Sequence, residues 1–453
     1  MMKLSKQIYV IDIAKNWKGI YSPFGHKIAF IYDEYWENIR KGNYHLVKEA
    51  IVNYLAESKI LVEEGFEETW LCERFKEPKV ELNSMYLITT IKCNFACKYC
   101  VIIKNIDKTC VYEQHMKPHI GSIAVDFFER HLRHTRPKNA RVTFYGGEPM
   151  LNKDVMLHCI PKIRTISYPN QENPVEIVMI TNGYLYDPQI VELFKENDVG
   201  VCVSIDGKKQ HHDVARLTKK GSGTFDRVVE NYKKYKAAGI SMGISCALGT
   251  HNAFDLPEIC EFFANELEPR AVEFQIPYQV SKEGNEMFVK TSQITENLME
   301  AYKILHSYGI VEGLACRRMN DFNSGSFHYK DCGATGNQLV VAPDGAIGPC
   351  HSLVGTRVYY LGNVADPRCD PCELDNFKEW AKRFPLNMPI CRCCPFISLC
   401  GGGCTYNSYI SSGSIWEKDP QVCPYMEGMV KWILREMWKR SGMAAEYGIS
   451  SET

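Results

Sequence analysis

Between residues 85 and 307 the chain alternates six times between a short run rich in apolar and β-branched residues and a longer run with apolar residues at helical spacing. The short runs at 85–91, 140–144, 175–181, 200–204, 241–247 and 271–276 read as strands. The runs that follow, at 120–134, 153–166, 188–196, 224–238, 256–266 and 294–307, read as helices. Strands separated by helices predict an α/β unit with parallel strands and outer helices. Such a sheet carries its chemistry at the carboxyl ends of its strands.

The flanks differ in kind. Residues 8–13 and 27–32 alternate as short strands about a polar turn near Asn16, 33–41 and 45–56 carry helical spacing, and 60–62 suggests a returning strand. The order is strands, two helices, then a wing. Residues 74–83, with Pro78 among charges, read as a linker. Beyond Ser307 the periodicity weakens and cysteines dominate up to Cys423, with too little apolar sequence for a large separate core, so metal is expected to organise this stretch. A final helix over 425–439 carries Met426, Met429, Val430, Ile433, Leu434 and Met437 as a packing stripe.

With 45% hydrophobic and 24% charged residues, the 453-residue chain reads as an ordered multidomain protein. A net charge of -1 supplies no global attraction to nucleic acid or anionic lipid. No apolar run approaches the roughly 18 residues of a membrane span, and residues 1–14 lack the layout of a signal peptide, so a cytoplasmic enzyme is expected. Twenty cysteines are anomalous in that compartment, where disulfides are disfavoured. Their grouping in tight local sets favours metal ligation.

The first set is Cys93, Cys97 and Cys100 in CNFACKYC, directly after the first strand of the repeat. Three thiolates at this spacing can hold three irons of a four-iron cluster and leave the fourth open. A zinc knuckle is the competing reading and wants a fourth nearby ligand. The triplet resembles the hallmark of the radical S-adenosylmethionine (SAM) superfamily, which implies a partial (β/α)6 barrel over 85–310. In that family the open iron chelates the methionine moiety of SAM, and an electron, delivered by a flavodoxin- or ferredoxin-type reductant, releases a 5′-deoxyadenosyl radical.

Strand ends carry further candidates. Gly146, Gly147 and Glu148 follow the second strand, where glycines allow close backbone approach and Glu148 can accept from an ammonium; in the family this element receives the methionine amino group. Asn182 ends the third strand, and Ser204 and Asp206 end the fourth, followed by Arg216; Ser204 and Arg216 suit the ribose hydroxyls or a carboxylate. Tyr99 resembles the family's aromatic against the adenine, or is core.

The second set is Cys332, Gly345, Cys350, Cys391, Cys394, Cys400, Cys404 and Cys423, in an order and spacing that resemble the SPASM extension of radical enzymes acting on peptides and proteins. The resemblance implies an extension over 311–424 with two auxiliary four-iron clusters, for three [4Fe–4S] clusters in all. Cys332, Cys350 and Cys404 would hold one, and Cys391, Cys394, Cys400 and Cys423 the other. No cysteine lies between Gly333 and Pro349, where some relatives have an eighth. Either Cys316 completes the first site, or an iron stays open to a substrate thiolate. Cys369, Cys372 and Cys393 lie outside the pattern; the CDPC pair reads as a zinc or redox pair, or as spare thiols. His351, where sulfatase maturases tend to carry Asp, is a base or a hydrogen-bonding group and looks more like maturases that link peptide cysteines to neighbouring residues.

Residues 1–75 resemble the winged-helix-like α+β recognition element of enzymes that mature ribosomally made peptides. Residues 76–84 would link it to the barrel, and 425–453 would form the C-terminal helix and tail. An extended leader would add as a strand, with 27–32 as the candidate edge; a shielding cap is the alternative. The expected activity is thioether formation in a cysteine-containing precursor peptide. Carbon-to-carbon crosslinking, epimerisation, formylglycine formation and simple electron transfer are the alternatives.

Overall fold

The computed structural model describes residues 2–104, 112–276 and 286–442. At the N-terminus, β1 (Met2–Leu4) pairs with β5 (Leu61–Glu63), while β2 (Tyr9–Ala14), β3 (Trp17–Ser22) and β4 (Lys27–Tyr32) form an antiparallel meander. The sequence predicts β2 and β4 but not β3. The physical reason is that the sheet is covered on both sides. Ile20, Ala29 and Ile31 pack on Trp36, Ile39 and Leu55 of helices Asp33–Arg40 and Glu49–Glu57, whereas Tyr21, Ile28 and Phe30 join the main core. A strand buried on both faces loses its period-two signature. Strand β1 and helix Phe66–Arg74 are further elements beyond the prediction.

The six predicted strands form the parallel sheet: β6 (Ser84–Thr90), β7 (Arg141–Gly146), β8 (Glu176–Thr181), β9 (Val199–Ser204), β10 (Met242–Ala247) and β11 (Ala271–Gln275). Each pairs with its sequence neighbour, which is the order that right-handed βαβ crossovers produce. Leu87, Phe144, Met179, Val203 and Ile244 are fully buried in the core they share. Three strands not predicted extend this sheet to nine: β12 (Val311–Glu312) beyond β11, and β13 (Gln338–Val341) with β14 (Ile347–Gly348) beyond β6. The cysteine-rich extension therefore contributes to the barrel's own sheet, with β13 parallel to β6 and Val340 opposite Tyr86.

The last helix, Val422–Arg440, buries Tyr425, Met426, Met429, Val430, Ile433, Leu434 and Trp438. Met437, expected in the stripe, is 43% exposed; Trp438 takes its place and packs on Trp17 and Phe30 at ring distances of 5.4 and 5.1 Å. The predicted tail beyond 442 lies outside the described residues. No described helix is long and apolar enough to cross a membrane.

Candidate active site

The loop after β6 carries the cysteine triplet and is strapped to the segment that follows β9. The Ala96 amide donates to the Leu217 carbonyl at 2.8 Å, the Lys98 amide donates to the Ala215 carbonyl at 3.0 Å, and Phe95 bridges Thr218. Cys93, Cys97 and Cys100 consequently line one cavity at the carboxyl ends of the barrel strands, together with Tyr99, Gly146, Gly147, Asn182, Ser204, Arg216 and His351. Burial pushes Cys93 up to about 11, opposed by the Phe95 amide, and Cys97 up to about 12, opposed by the Arg216 guanidinium; Cys100 raises both. Thiols this hard to ionise become thiolates by binding metal. The three sulfurs do not all lie within 4.8 Å of one another. One zinc ion would hold them about 3.8 Å apart, from a Zn–S bond of about 2.3 Å. The wider spread suits a polynuclear iron–sulfur cluster.

Arg216 reaches back over this loop. Its Nη1 donates to the Tyr99 hydroxyl at 2.5 Å and lies 3.7 Å from Asp206 Oδ1, and its buried Nε has no partner. The Tyr99 hydroxyl in turn donates to Asp206 Oδ2, while the Ala247 amide donates to Oδ1 at 3.1 Å. Burial alone would raise Asp206, but the Arg216 charge and the His251 ring, 3.5 Å away, hold it down at about 2. Tyr99 stacks on His251 with ring centroids 6.0 Å apart, and burial raises its phenol well above the ordinary value. The result is a fixed aromatic wall beside the triplet, with a charged and partly unpartnered guanidinium next to it.

Gly146 and Gly147 are required by the cysteine loop itself. A Cβ at Gly146 would fall 2.1 Å from the Thr90 carbonyl oxygen, and one at Gly147 would fall 2.2 Å from that of Lys92. Glu148 is fully buried behind them. Its carboxylate accepts from the Met150 amide at 3.0 Å, the Thr181 hydroxyl at 2.7 Å and the Asn182 amide at 2.7 Å. Burial raises it against these three donors. In this conformation Glu148 ties the ends of β7 and β8 together. The Asn182 side chain braces the loop, donating to Asn94 Oδ1 at 2.8 Å.

The sequence reading did not single out Ser245, Gln275 or Leu248, which also line the cavity, or His251. Register could have found Ser245, because it stands opposite Ser204 on the neighbouring strand end. His351 stacks on Tyr86 at 5.0 Å and meets Tyr145 edge-on at 5.1 Å, both of which line the same cavity. Burial lowers the His351 ring to about 4, so it is neutral at pH 7, and its Nδ1 has no partner.

In the extension the structure brings Cys332, Cys350 and Cys404 together: burial raises all three, Cys332 raises Cys350 further, and both of these raise Cys404. Cys391, Cys394, Cys400 and Cys423 gather separately in the same manner. Cys316 lies beside Asn320, with Tyr302 next to it. Two residues on, and thus on a nearly opposite helix face, Arg318 reaches Asp331 beside Cys332. Cys393 is exposed. A residue with no sequence signal is Arg383, fully buried between the two groups. It donates only to neutral acceptors, the carbonyls of Ile415, Gly403 and Glu417 and the Ser408 hydroxyl, while its charge draws down both Cys332 and Cys391. A buried cation so placed fits two anionic clusters.

Comparison with known proteins agrees with this geometry. The profile of the radical SAM superfamily matches residues 87–263. The radical SAM cyclopropyl synthase TigE of Paramaledivibacter caminithermalis is 25% identical over 390 residues, which cover 82% of this chain and 76% of that protein. The cysteine-type anaerobic sulfatase-maturating enzyme of Clostridium perfringens is 24% identical over 336 residues, covering 69% of this chain and 85% of that one. Among solved structures, native anSMEcpe with bound AdoMet superposes with a TM-score of 0.65 at 21% identity over 79% of this chain and 99% of that chain. Streptococcus suis SuiB bound to precursor peptide SuiA superposes with a TM-score of 0.55 at 13% identity over 93% of this chain and 100% of that chain. The chain thus has the radical SAM fold, and residues 87–263 form a radical SAM domain, which implies a [4Fe–4S] cluster and S-adenosylmethionine as cofactors.

Proposed function

We propose that the chain is a maturase that forms sulfur-to-carbon thioether links in a ribosomally made, cysteine-containing precursor peptide. The observation that carries this reading is the make-up of the first extension group. Among the described residues Cys332, Cys350 and Cys404 gather without a fourth cysteine, since none lies between Gly333 and Pro349 and Cys316 sits beside Asn320 and Tyr302. Three protein thiolates leave a four-iron cluster one open position, for which a substrate cysteine is a matching ligand. Ligation there would deprotonate that cysteine and fix its place. His351 adjoins Cys350 in sequence and lines the cavity of the Cys93 triplet, so the two places meet at its ring.

When bound, the radical SAM cluster and SAM supply the 5′-deoxyadenosyl radical that takes a substrate hydrogen. In this proposal Cys93, Cys97 and Cys100 hold that cluster, and the unpartnered Arg216 Nε and Ser204 receive polar groups of SAM. The aromatic wall of Tyr99 and His251 keeps water from that side of the cavity. The second group of extension cysteines would hold a further cluster that takes up the second electron.

The peptide leader is assigned to β4. No further strand pairs with it among the described residues, although the Tyr54 hydroxyl donates to the Ile28 carbonyl at 2.6 Å, and a cavity of about 960 Å³ runs along it, walled by Trp17, Phe30, Tyr32, Tyr35, Ile51 and Tyr54. An extended segment can add there as a fourth strand, with backbone pairing for affinity and aromatic walls for selectivity. The fold likeness to SuiB, solved with its precursor peptide, supports the substrate class.

The likeness to the cyclopropyl synthase favours a second reading, carbon-to-carbon bond formation in the same kind of peptide. The test is anaerobic incubation of the reconstituted chain with SAM, a flavodoxin-type reductant and a cysteine-containing precursor peptide, sought first among short reading frames beside its gene. Expected are 5′-deoxyadenosine and a product that has lost two hydrogens per link and one iodoacetamide-reactive thiol per link. The same mass loss with every thiol still reactive means carbon-to-carbon bonding, and an aldehyde trapped by a hydrazide means sulfatase-type maturation. A Cys93→Ala, Cys97→Ala, Cys100→Ala variant that still makes the nucleoside would overturn both readings.

A further inference from the structure

His131, near the end of helix Pro118–Thr135, meets Asp370 and Cys372 of the CDPC segment, more than two hundred residues away in sequence. One ligand atom of each lies within 4.8 Å of the others, and among the described residues no other set of three His, Cys, Asp or Glu groups closes this far. The structure separates the CDPC pair. The Cys369 sulfur packs toward Gly362, whereas Cys372 Sγ turns to the Val80 carbonyl, 3.5 Å away, at the back of the barrel's first helix. The Cys372 amide donates to Asp370 Oδ1 at 2.9 Å, which fixes the turn that presents both side chains.

Two further observations point to a ligand. His131 is 7% exposed and its Nε2 is enclosed with no hydrogen-bond partner, a state that native chains seldom leave without an ion or water. His134 follows one turn later, on the same helix face, and lines with Cys372 a cavity that also touches residues 78–81. Thiolate, imidazole and carboxylate together are zinc donors. Tetrahedral zinc, with bonds of about 2.0 to 2.3 Å, holds its ligands about 3.3 to 3.8 Å apart. Rotation of the exposed Asp370 and half-buried Cys372 side chains can close the remaining gap.

We propose that His131, Asp370 and Cys372 bind one zinc ion, with His134 at hand for the fourth position, and that the ion clamps the extension to the outside of the barrel. Val80 precedes the start of β6, so the site lies at the opposite end of that strand from the Cys93 loop, about 20 Å away by strand rise. The ion is therefore structural and independent of the maturase reading.

The test uses the anaerobically reconstituted, cluster-loaded full chain, with zinc and iron counted by mass spectrometry and the zinc environment read by X-ray absorption. The expected result is about one zinc per chain with one sulfur and otherwise nitrogen or oxygen neighbours. Cys372→Ser should lose it at unchanged iron content. A second variant, Asp370→Asn with His134→Asn, alters only exposed side chains and so leaves folding out of question; it should weaken zinc retention against a chromophoric chelator by at least about tenfold. Three results overturn the proposal: cluster-loaded protein without zinc, zinc surrounded by four sulfurs, or zinc held equally by both variants and the parent chain.

Discussion

In the barrel, Leu87, Phe144, Met179, Val203 and Ile244 meet with no surface left exposed, whereas in the extension and the helix leading into it the largest fully buried side chains include Arg318 and Arg383. An apolar side chain of that size contributes about 1.5–3 kcal/mol by leaving water, with no partner required. A buried guanidinium contributes only if its charge and hydrogen bonds are met. Arg318 has Asp331, but Arg383 has carbonyls, a hydroxyl and two groups of cysteines. The barrel can therefore hold its shape before any metal arrives, while in the proposed reading the extension relies on cluster-bound thiolates to balance its interior.

The strongest way to break this contrast is to delete the second cysteine group. Cys391→Ala with Cys394→Ala should lower amide-exchange protection across 376–423 by at least about a thousandfold, about 4 kcal/mol, and leave β7 to β9 protected. Equal loss in both regions would show that they fold as one metal-dependent unit. Next in size is Arg383→Met, which should cost about 1.5–3 kcal/mol in cluster-loaded protein and much less in iron-free protein, measured as the shift of the denaturation midpoint. An equal cost in both would mean that the guanidinium serves only its carbonyls.

The smallest effect belongs to the barrel. Burial, helped by the Arg216 charge, lowers His212 from 6.5 to about 4. Between these values the unfolded ring binds a proton that the folded ring does not, so stability rises with pH through this window and drains as pH falls toward 4. From pH 7 to pH 5 the loss is about 1–2 kcal/mol, and His212→Gln should flatten that part of the stability–pH curve.

The sequence was most legible where a period repeats. All six barrel strands and the helices after them are visible because burial on a parallel sheet leaves long apolar runs at regular intervals. The cysteine groups are visible because metal geometry constrains spacing. β13 is not, since its four residues are all buried and too few to show any period. Arg383 and His251 carry no signal either, because a lone buried polar side chain outside a repeating pattern looks in sequence like any solvated one. His131 is hidden for the complementary reason, as its partners lie in another module and only the fold brings them near.

The pairing of β13 with β6 has a consequence for anyone who would exchange extensions between relatives. β6 delivers the first cysteine loop, and the β13–β14 hairpin delivers Cys350 and His351, so the span between the two reaction places is counted in rungs of one ladder. A chimera keeps that span only while Val340 stays opposite Tyr86. A slip of one rung would turn the hairpin's side chains to the other face, and a slip of two would carry His351 about 6.6 Å along the strand. The sheet edge thus acts as a vernier, and its register is the dimension that a designer must preserve before any cysteine is moved.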